Sequence, residues 1–172
     1  MLKYLASAAV IGALITPAAA GNFLISPRGE IVYANLSFDP VDVDVDAAGV
    51  RLGADFVKFF GAEVELLKGI TDVEQAGVTL ELDYQAGVYG VARYPVIPTT
   101  WLYARVGLLQ GKTTVSGPGG SSSETEDGLS YGVGAQVNLP ATPFGARIGF
   151  DRIDYGDDVE ADELSFSVVY RF

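Results

Sequence analysis

From Leu129 to the final Phe172, apolar side chains return at every second residue, and this period of two limits the fold more than any other feature. Leu129, Tyr131, Val133, Ala135, Val137 and Leu139 alternate with Ser130, Gly132, Gly134, Gln136 and Asn138. Phe144, Ala146, Ile148 and Phe150 alternate with Gly145, Arg147, Gly149 and Asp151. Leu164, Phe166, Val168, Tyr170 and Phe172 alternate with Ser165, Ser167, Val169 and Arg171. A strand turns successive side chains to opposite faces, so each segment is a strand with one oily face and one polar or small face. Near the start Val32, Ala34, Leu36 and Phe38 form the same kind of series against Tyr33, Asn35 and Ser37, and are read as its oily face.

Strands are expected near 30–38, 49–57, 61–68, 78–94, 100–115, 127–139, 144–155 and 163–172. The connections alternate in character. Lys58-Phe59-Phe60, Pro95 to Thr99 and Pro140 to Pro143 are short; Asp39–Ala48, Gly69–Gly77, Ser116–Glu126 and Gly156–Asp162 are longer and polar. Gly117 to Ser123 reads as a mobile loop tip. Tight turns at one end and longer loops at the other suit an all-β, eight-stranded antiparallel up-and-down transmembrane barrel, its short turns periplasmic.

Alternation alone does not say which face meets solvent. A secreted lipocalin-like barrel has the same period with its oil inside. Three features favour oil outside. The polar face carries Arg51, Arg93, Arg105, Arg147 and Arg171 with Gly53, Gly87, Gly107, Gly132, Gly134, Gly145 and Gly149, whereas lysine is confined to Lys58, Lys68 and Lys112 near strand ends. Glycine weakens a strand, so glycine between arginines and tyrosines suggests a crowded interior. Tyr84 and Tyr94, ten residues apart on one face, are separated by roughly 25 Å across a tilted strand, the height of a lipid-facing band. Phe38, Tyr84, Tyr94 and Phe144 are the expected aromatic girdle, with the outer boundary just beyond Phe38, before Asp42, Asp44 and Asp46. Third, the chain stops on Phe172, the last outward residue of its strand.

The first twenty residues read as a cleavable signal peptide: Lys3, an apolar run from Tyr4 to Ile15, Pro17, then Ala18-Ala19-Ala20. The run is shorter than the ~20 residues of a helical span. Residues 1–20 are thus assigned to export and 21–172 to one barrel domain; losing Lys3 takes the formal charge from −11 to −12. That charge excludes nucleic acid as a partner, whose phosphates it repels.

No histidine and no cysteine occur. A serine nucleophile normally needs an adjacent base, so Ser130, Ser165 and Ser167 are read as small interior residues, and neither enzyme chemistry nor a cofactor is expected. Asp39, Asp42, Asp44 and Asp46, and then Asp154, Asp157, Asp158, Glu160, Asp162 and Glu163, offer hard oxygen ligands without EF-hand spacing. They read as solvated acidic loops, with weak divalent-cation binding as the alternative. Inside, an interior charge network is expected from Arg51, Asp55, Glu63, Glu65, Arg93, Arg105, Arg147, Asp151 and Arg171. Eight strands leave room only for side chains, so the lumen should be filled.

A final Phe172 preceded by Tyr170, Val168 and Phe166 resembles the signal by which outer-membrane assembly machinery recognises its clients. Tyr103 to Leu108, Ser130 to Gln136, Gly145 to Phe150 and Val169 to Phe172 together resemble the small eight-stranded outer-membrane β-barrel family, which includes OmpX and the membrane domain of OmpA and is often labelled porin family. The resemblance covers roughly residues 28–172. It implies a Gram-negative outer-membrane protein contacting lipid and lipopolysaccharide, non-enzymatic, whose barrel anchors surface loops for adhesion or envelope integrity. A small porin or hydrophobic-ligand channel is the alternative.

Overall fold

The computed structural model describes residues 25–39, 43–57, 59–75, 78–118, 120–156 and 159–172. The segment assigned to export lies outside the described residues. The alternating segments pair as β1 (Ser26–Asp39), β2 (Val43–Val57), β3 (Phe60–Gly69), β4 (Val73–Gln75), β5 (Val78–Ile97), β6 (Thr100–Gly117), β7 (Gly120–Asn138), β8 (Phe144–Gly156) and β9 (Val159–Arg171). The order is β3-β2-β1-β9-β8-β7-β6-β5-β4, and β3 also pairs with β5, which closes the sheet. β3 runs along β5 from Gln85 to Ala92 and β4 along it from Val78 to Leu80, so the two share one position in an eight-strand antiparallel barrel. Ile25 and Phe172 lie at one rim, here the lower, with the β2–β3, β5–β6 and β7–β8 turns.

The strands outrun the expected loops. β1 and β2 are paired as far as Phe38 and Val43, and Asp44 and Asp46 belong to β2: Asp46 accepts hydrogen bonds from the Tyr33 hydroxyl (2.8 Å) and Asn35 Nδ2 (3.0 Å), and Asp44 accepts one from Ser37. β6 and β7 stay paired up to Gly117 and Gly120, through the whole serine-rich stretch that reads as a loop tip. Where both faces of a ribbon meet water, pairing needs no apolar alternation, so the composition resembles a loop while the backbone is extended.

The faces are inside out relative to a soluble barrel. Ile148 is 44% exposed on the outer wall, and its neighbour Arg147 is 3% exposed within. Phe166, Val168, Val133 and Leu108 also point outward, which overturns the lipocalin-like alternative.

β1 corrects the expected assignment. Ile31 is 72% exposed and Val32 1%, so Val32, Ala34 and Leu36 face the lumen, while Ile31 and Tyr33 form the outer face. Phe38 follows the same parity: it packs on the internal apolar cluster and stacks on Tyr155, with ring centroids 6.4 Å apart, so it is not a girdle residue. The oily outer wall of β1 therefore ends above Tyr33, at Asn35, and not beyond Phe38. The error has a physical source. The lumen is apolar at this height, so oil on a strand face no longer distinguishes lipid from interior.

The lumen has two layers. Its lower part is packed with arginines and carboxylates. Its upper part is a plug of Val32, Leu36, Val45, Leu67, Leu82, Leu109 and Ile153, all buried, over which Phe38, Leu80 and Tyr155 pack. Each large aliphatic side chain removed from water contributes about 1.5–3 kcal/mol.

Candidate functional site

Inward positions on β1, β2, β3, β5, β6, β8 and β9 converge on the lower lumen. Arg105 on β6 grips Asp151 of β8 with two nitrogens, at 2.6 and 2.8 Å, and reaches Glu65 and Glu163, each at 3.3 Å. Arg147 on β8 reaches Glu63 (2.6 Å) and Glu30 (2.9 Å). Arg51 on β2 bonds Glu65 through Nε (2.6 Å) and Glu30 through Nη1 (2.9 Å). Arg28 on β1 pairs with Glu63 and, at 2.7 Å, with Asp55, whose other oxygen accepts from Arg93 at 2.6 Å. Neutral groups complete the shell: Ser167 donates to Glu30 (2.7 Å), and Gln85 donates to Glu163 (2.9 Å). Two tyrosine rings sit under guanidiniums, Tyr103 at 3.6 Å from Arg147 and Tyr89 at 4.3 Å from Arg105.

Glycines make the room. A Cβ on Gly134 would lie 2.4 Å from the Tyr103 hydroxyl, and one on Gly149 2.3 Å from it. On the neighbouring strands β5 and β6, Gly87 and Gly107 would strike the Tyr89 ring at 2.7 and 2.6 Å. Each bulky ring thus occupies space that two bare positions leave open.

The structure brings together Arg51, Asp55, Glu63, Glu65, Arg93, Arg105, Arg147 and Asp151. It leaves out Arg171, which sits at the lower rim and donates to the Thr142 carbonyl at 2.7 Å, because the inward parity of β9 reaches that rim only as the chain ends. Arg28, Glu30 and Glu163 are members that the sequence reading missed. Arg28, just before the expected start of β1, and Glu30 share the parity of Val32, and their charges are the signal that this face turns inward; Glu163 shares the parity of Ser165 and Ser167. Glu163, which its acidic neighbours suggest is part of a surface loop, is buried.

Of the remaining acidic positions, Asp42, Asp157 and Asp158 lie outside the described residues. Glu160 and Asp162 pair with Arg152. Among the described residues no group of three or more carboxylates is arranged to hold a metal ion.

On the outer wall Tyr94 and Phe144 are exposed near the lower rim, and Tyr84, half-buried, stands toward the upper edge beside Gln110 (3.4 Å). Phe166, Val168, Tyr170 and Phe172 all face outward, and Tyr170 packs edge-on against both Phe144 (5.4 Å) and Phe172 (5.0 Å). The Phe172 amide donates to the Pro27 carbonyl at 3.2 Å, tying the carboxyl terminus to the first strand.

With this geometry in view, comparisons place the chain among known proteins. Ail of Yersinia pestis superposes with a TM-score of 0.61 at 21% identity, covering 88% of this chain and 100% of that one. The N-terminal β-barrel domain of Pseudomonas aeruginosa OprF superposes with a TM-score of 0.63 at 12% identity, over 84% of this chain and 97% of that one. Neisserial surface protein A gives 0.58 at 16% identity, over 86% and 97%. At these identities the likeness is one of fold. A sequence search of curated proteins finds no match. The family model described as outer membrane protein beta-barrel domain matches residues 6–172. With a closed barrel whose oil faces outward, this chain belongs to the outer membrane protein β-barrel family and is a protein of the bacterial outer membrane.

Proposed function

We propose that the protein is a non-enzymatic surface-contact protein, in which a closed barrel anchors a projecting β-ribbon for adhesion. The observation that carries this reading is the length of β6 and β7. Their last lipid-compatible outward pair is Leu108 and Leu129, yet pairing continues to Gly117 and Gly120, roughly 30 Å of further strand at about 3.3 Å per residue. β7 pairs with β8 only from Leu129 onward, so residues 120–128 present a free strand edge among the described residues. Short turns face the periplasm in such barrels, which directs this ribbon to the cell surface.

Ail, the attachment invasion locus protein, has been crystallised with the heparin analogue sucrose octasulfate. The ribbon here carries Glu124, Glu126 and Asp127 on a chain of net charge −11, which favours a cationic or neutral partner surface over a sulfated one. The packed lumen supports a closed barrel, and planar-bilayer recordings should show no large, stable conductance. The outward series ending at Phe172 is read as the signal to the assembly machinery, and the oily wall as the contact with lipid and lipopolysaccharide.

The test replaces residues 113–124 with an Asn-Gly turn, which joins the paired residues Lys112 and Thr125; because it also removes the partners of Thr79 to Leu82 on β5, assembly is read alongside adherence. Cells carrying the shortened protein should keep wild-type outer-membrane levels and heat-modifiable gel mobility while losing adherence to epithelial monolayers and amine-coated surfaces. Undiminished adherence would remove the ribbon from this role.

A further inference from the structure

Residues 120–128 of β7 are paired with β6 on one side only. β8 ends at Gly156, so the place that its continuation would fill beside this segment is open. Among the described residues no backbone hydrogen bond crosses it. An extended strand turns alternate amides and carbonyls to either side, so the open side carries donors and acceptors without a backbone partner. Such an edge, about 30 Å long at 3.3 Å per residue, is a template for one more strand.

The side chains along this edge select the strand. Those on the outer face are engaged within the ribbon: Asp127 accepts from Gln110 Nε2 at 2.9 Å, and Ser123 shares a hydrogen bond with Thr114 at 2.8 Å. On the opposite face Glu124 and Glu126 stand two residues apart, across from Thr113 and Gly111 of β6. Neither has an ion-pair or hydrogen-bond partner among the described residues. A second copy of the ribbon would bring the same carboxylates to the shared edge, and like charges directly opposite are destabilising. Basic side chains at alternate positions of an incoming strand meet both glutamates on one face while its backbone meets the edge. We propose that the edge of β7 binds an extended polypeptide segment with lysine or arginine at every second residue, added to the sheet as a further strand. This rests on the reading of the ribbon as the surface-contact element and names the chemistry of what it contacts.

The full chain, folded in zwitterionic lipid nanodiscs, is titrated with acetyl-TKTKTKT-amide and with its isomer acetyl-TTKKKTT-amide, equal in composition and charge. The alternating peptide should bind saturably and more tightly than the isomer, and should slow amide hydrogen exchange along residues 120–128. Glu124→Gln with Glu126→Gln should weaken its binding by about three- to tenfold, the scale that two exposed ion pairs supply. Successive residues of a strand turn their amides to opposite sides, so of two peptides N-methylated on the lysines or on the threonines, one should lose binding and the other keep it. Glu124→Lys with Glu126→Lys should transfer the preference to acetyl-TETETET-amide, folding being checked by heat-modifiable mobility. Equal binding of the two isomers, unchanged exchange along 120–128, equal effects of the two N-methylations, or pairing of β7 with a second copy in place of the peptide would each overturn the proposal. Adherence is read separately: cells that fail to adhere while the peptide still binds would remove the adhesive role and leave the edge site standing.

Discussion

The two halves of the lumen are closed by opposite chemistries. Below, Arg105 and Arg147 each engage carboxylates from at least two other strands, with distances of 2.6–3.3 Å. Above, Leu36, Leu67, Leu82 and Ile153 meet as one apolar cluster. The charged layer is directional: each guanidinium fixes which strands face one another across the axis. The apolar layer is indifferent to register and only has to fill volume. Charge thus specifies the lower half, and packing seals the upper one.

That contrast can be broken most forcefully from below. Arg105→Met leaves Glu65, Asp151 and Glu163 without their shared cation, and removing one partner of a buried pair typically costs about 3–5 kcal/mol. Equilibrium unfolding in detergent micelles should register it as a large fall in urea midpoint. Leu36→Ala in the plug should cost about 2–4 kcal/mol through lost burial and the cavity it leaves, with the lower charge network undisturbed. A loss well above that of Arg105→Met would reverse the ranking of the two layers. Gly134→Ala drives a methyl toward both the Ile148 carbonyl and the Tyr103 hydroxyl and should cost about 1–3 kcal/mol by overpacking; the double variant with Tyr103→Leu should recover only the part owed to the ring.

The smallest effect lies outside both layers. The Lys112 ammonium (2.9 Å) and the Thr114 hydroxyl (2.9 Å) both donate to Asp83 above the lipid-facing wall, and these hydrogen bonds hold its carboxyl below the usual aspartate range. A depressed folded pKa contributes stability that is present above the ordinary value and lost as pH falls through the folded one. Carboxyl NMR titration should find Asp83 protonating later than an ordinary aspartate on acidification, and Thr114→Val should move it back upward.

The same division explains what could be read in advance. In β8 and β9 the faces were plain because Arg147, Asp151 and Ser165 on one side oppose Ile148, Phe150 and Phe166 on the other. In β1 the alternation of Val32, Ala34 and Leu36 was equally clear, but its direction was misread, because an oily plug and an oily bilayer impose the same side-chain preference. Only the charges further along the same face, Arg28 and Glu30, distinguish them. The aromatic girdle divided in the same way: Tyr94 and Phe144 stand on the wall, while Phe38 follows its strand inward. The ribbon escaped notice for another reason. Residues 116–126 carry no oily face, so nothing in their composition separates a paired strand from a loop.

The period of two and the arginines set among glycines were enough to determine a barrel with lipid outside, since an isolated strand already sorts its side chains onto two faces. Which carboxylate meets which arginine, where the charged layer gives way to oil, and that Phe38 turns inward were decided only when the sheet closed. Closure sets the height of each inward residue against every other strand, and that stagger is a property of the whole barrel, absent from any one of its strands.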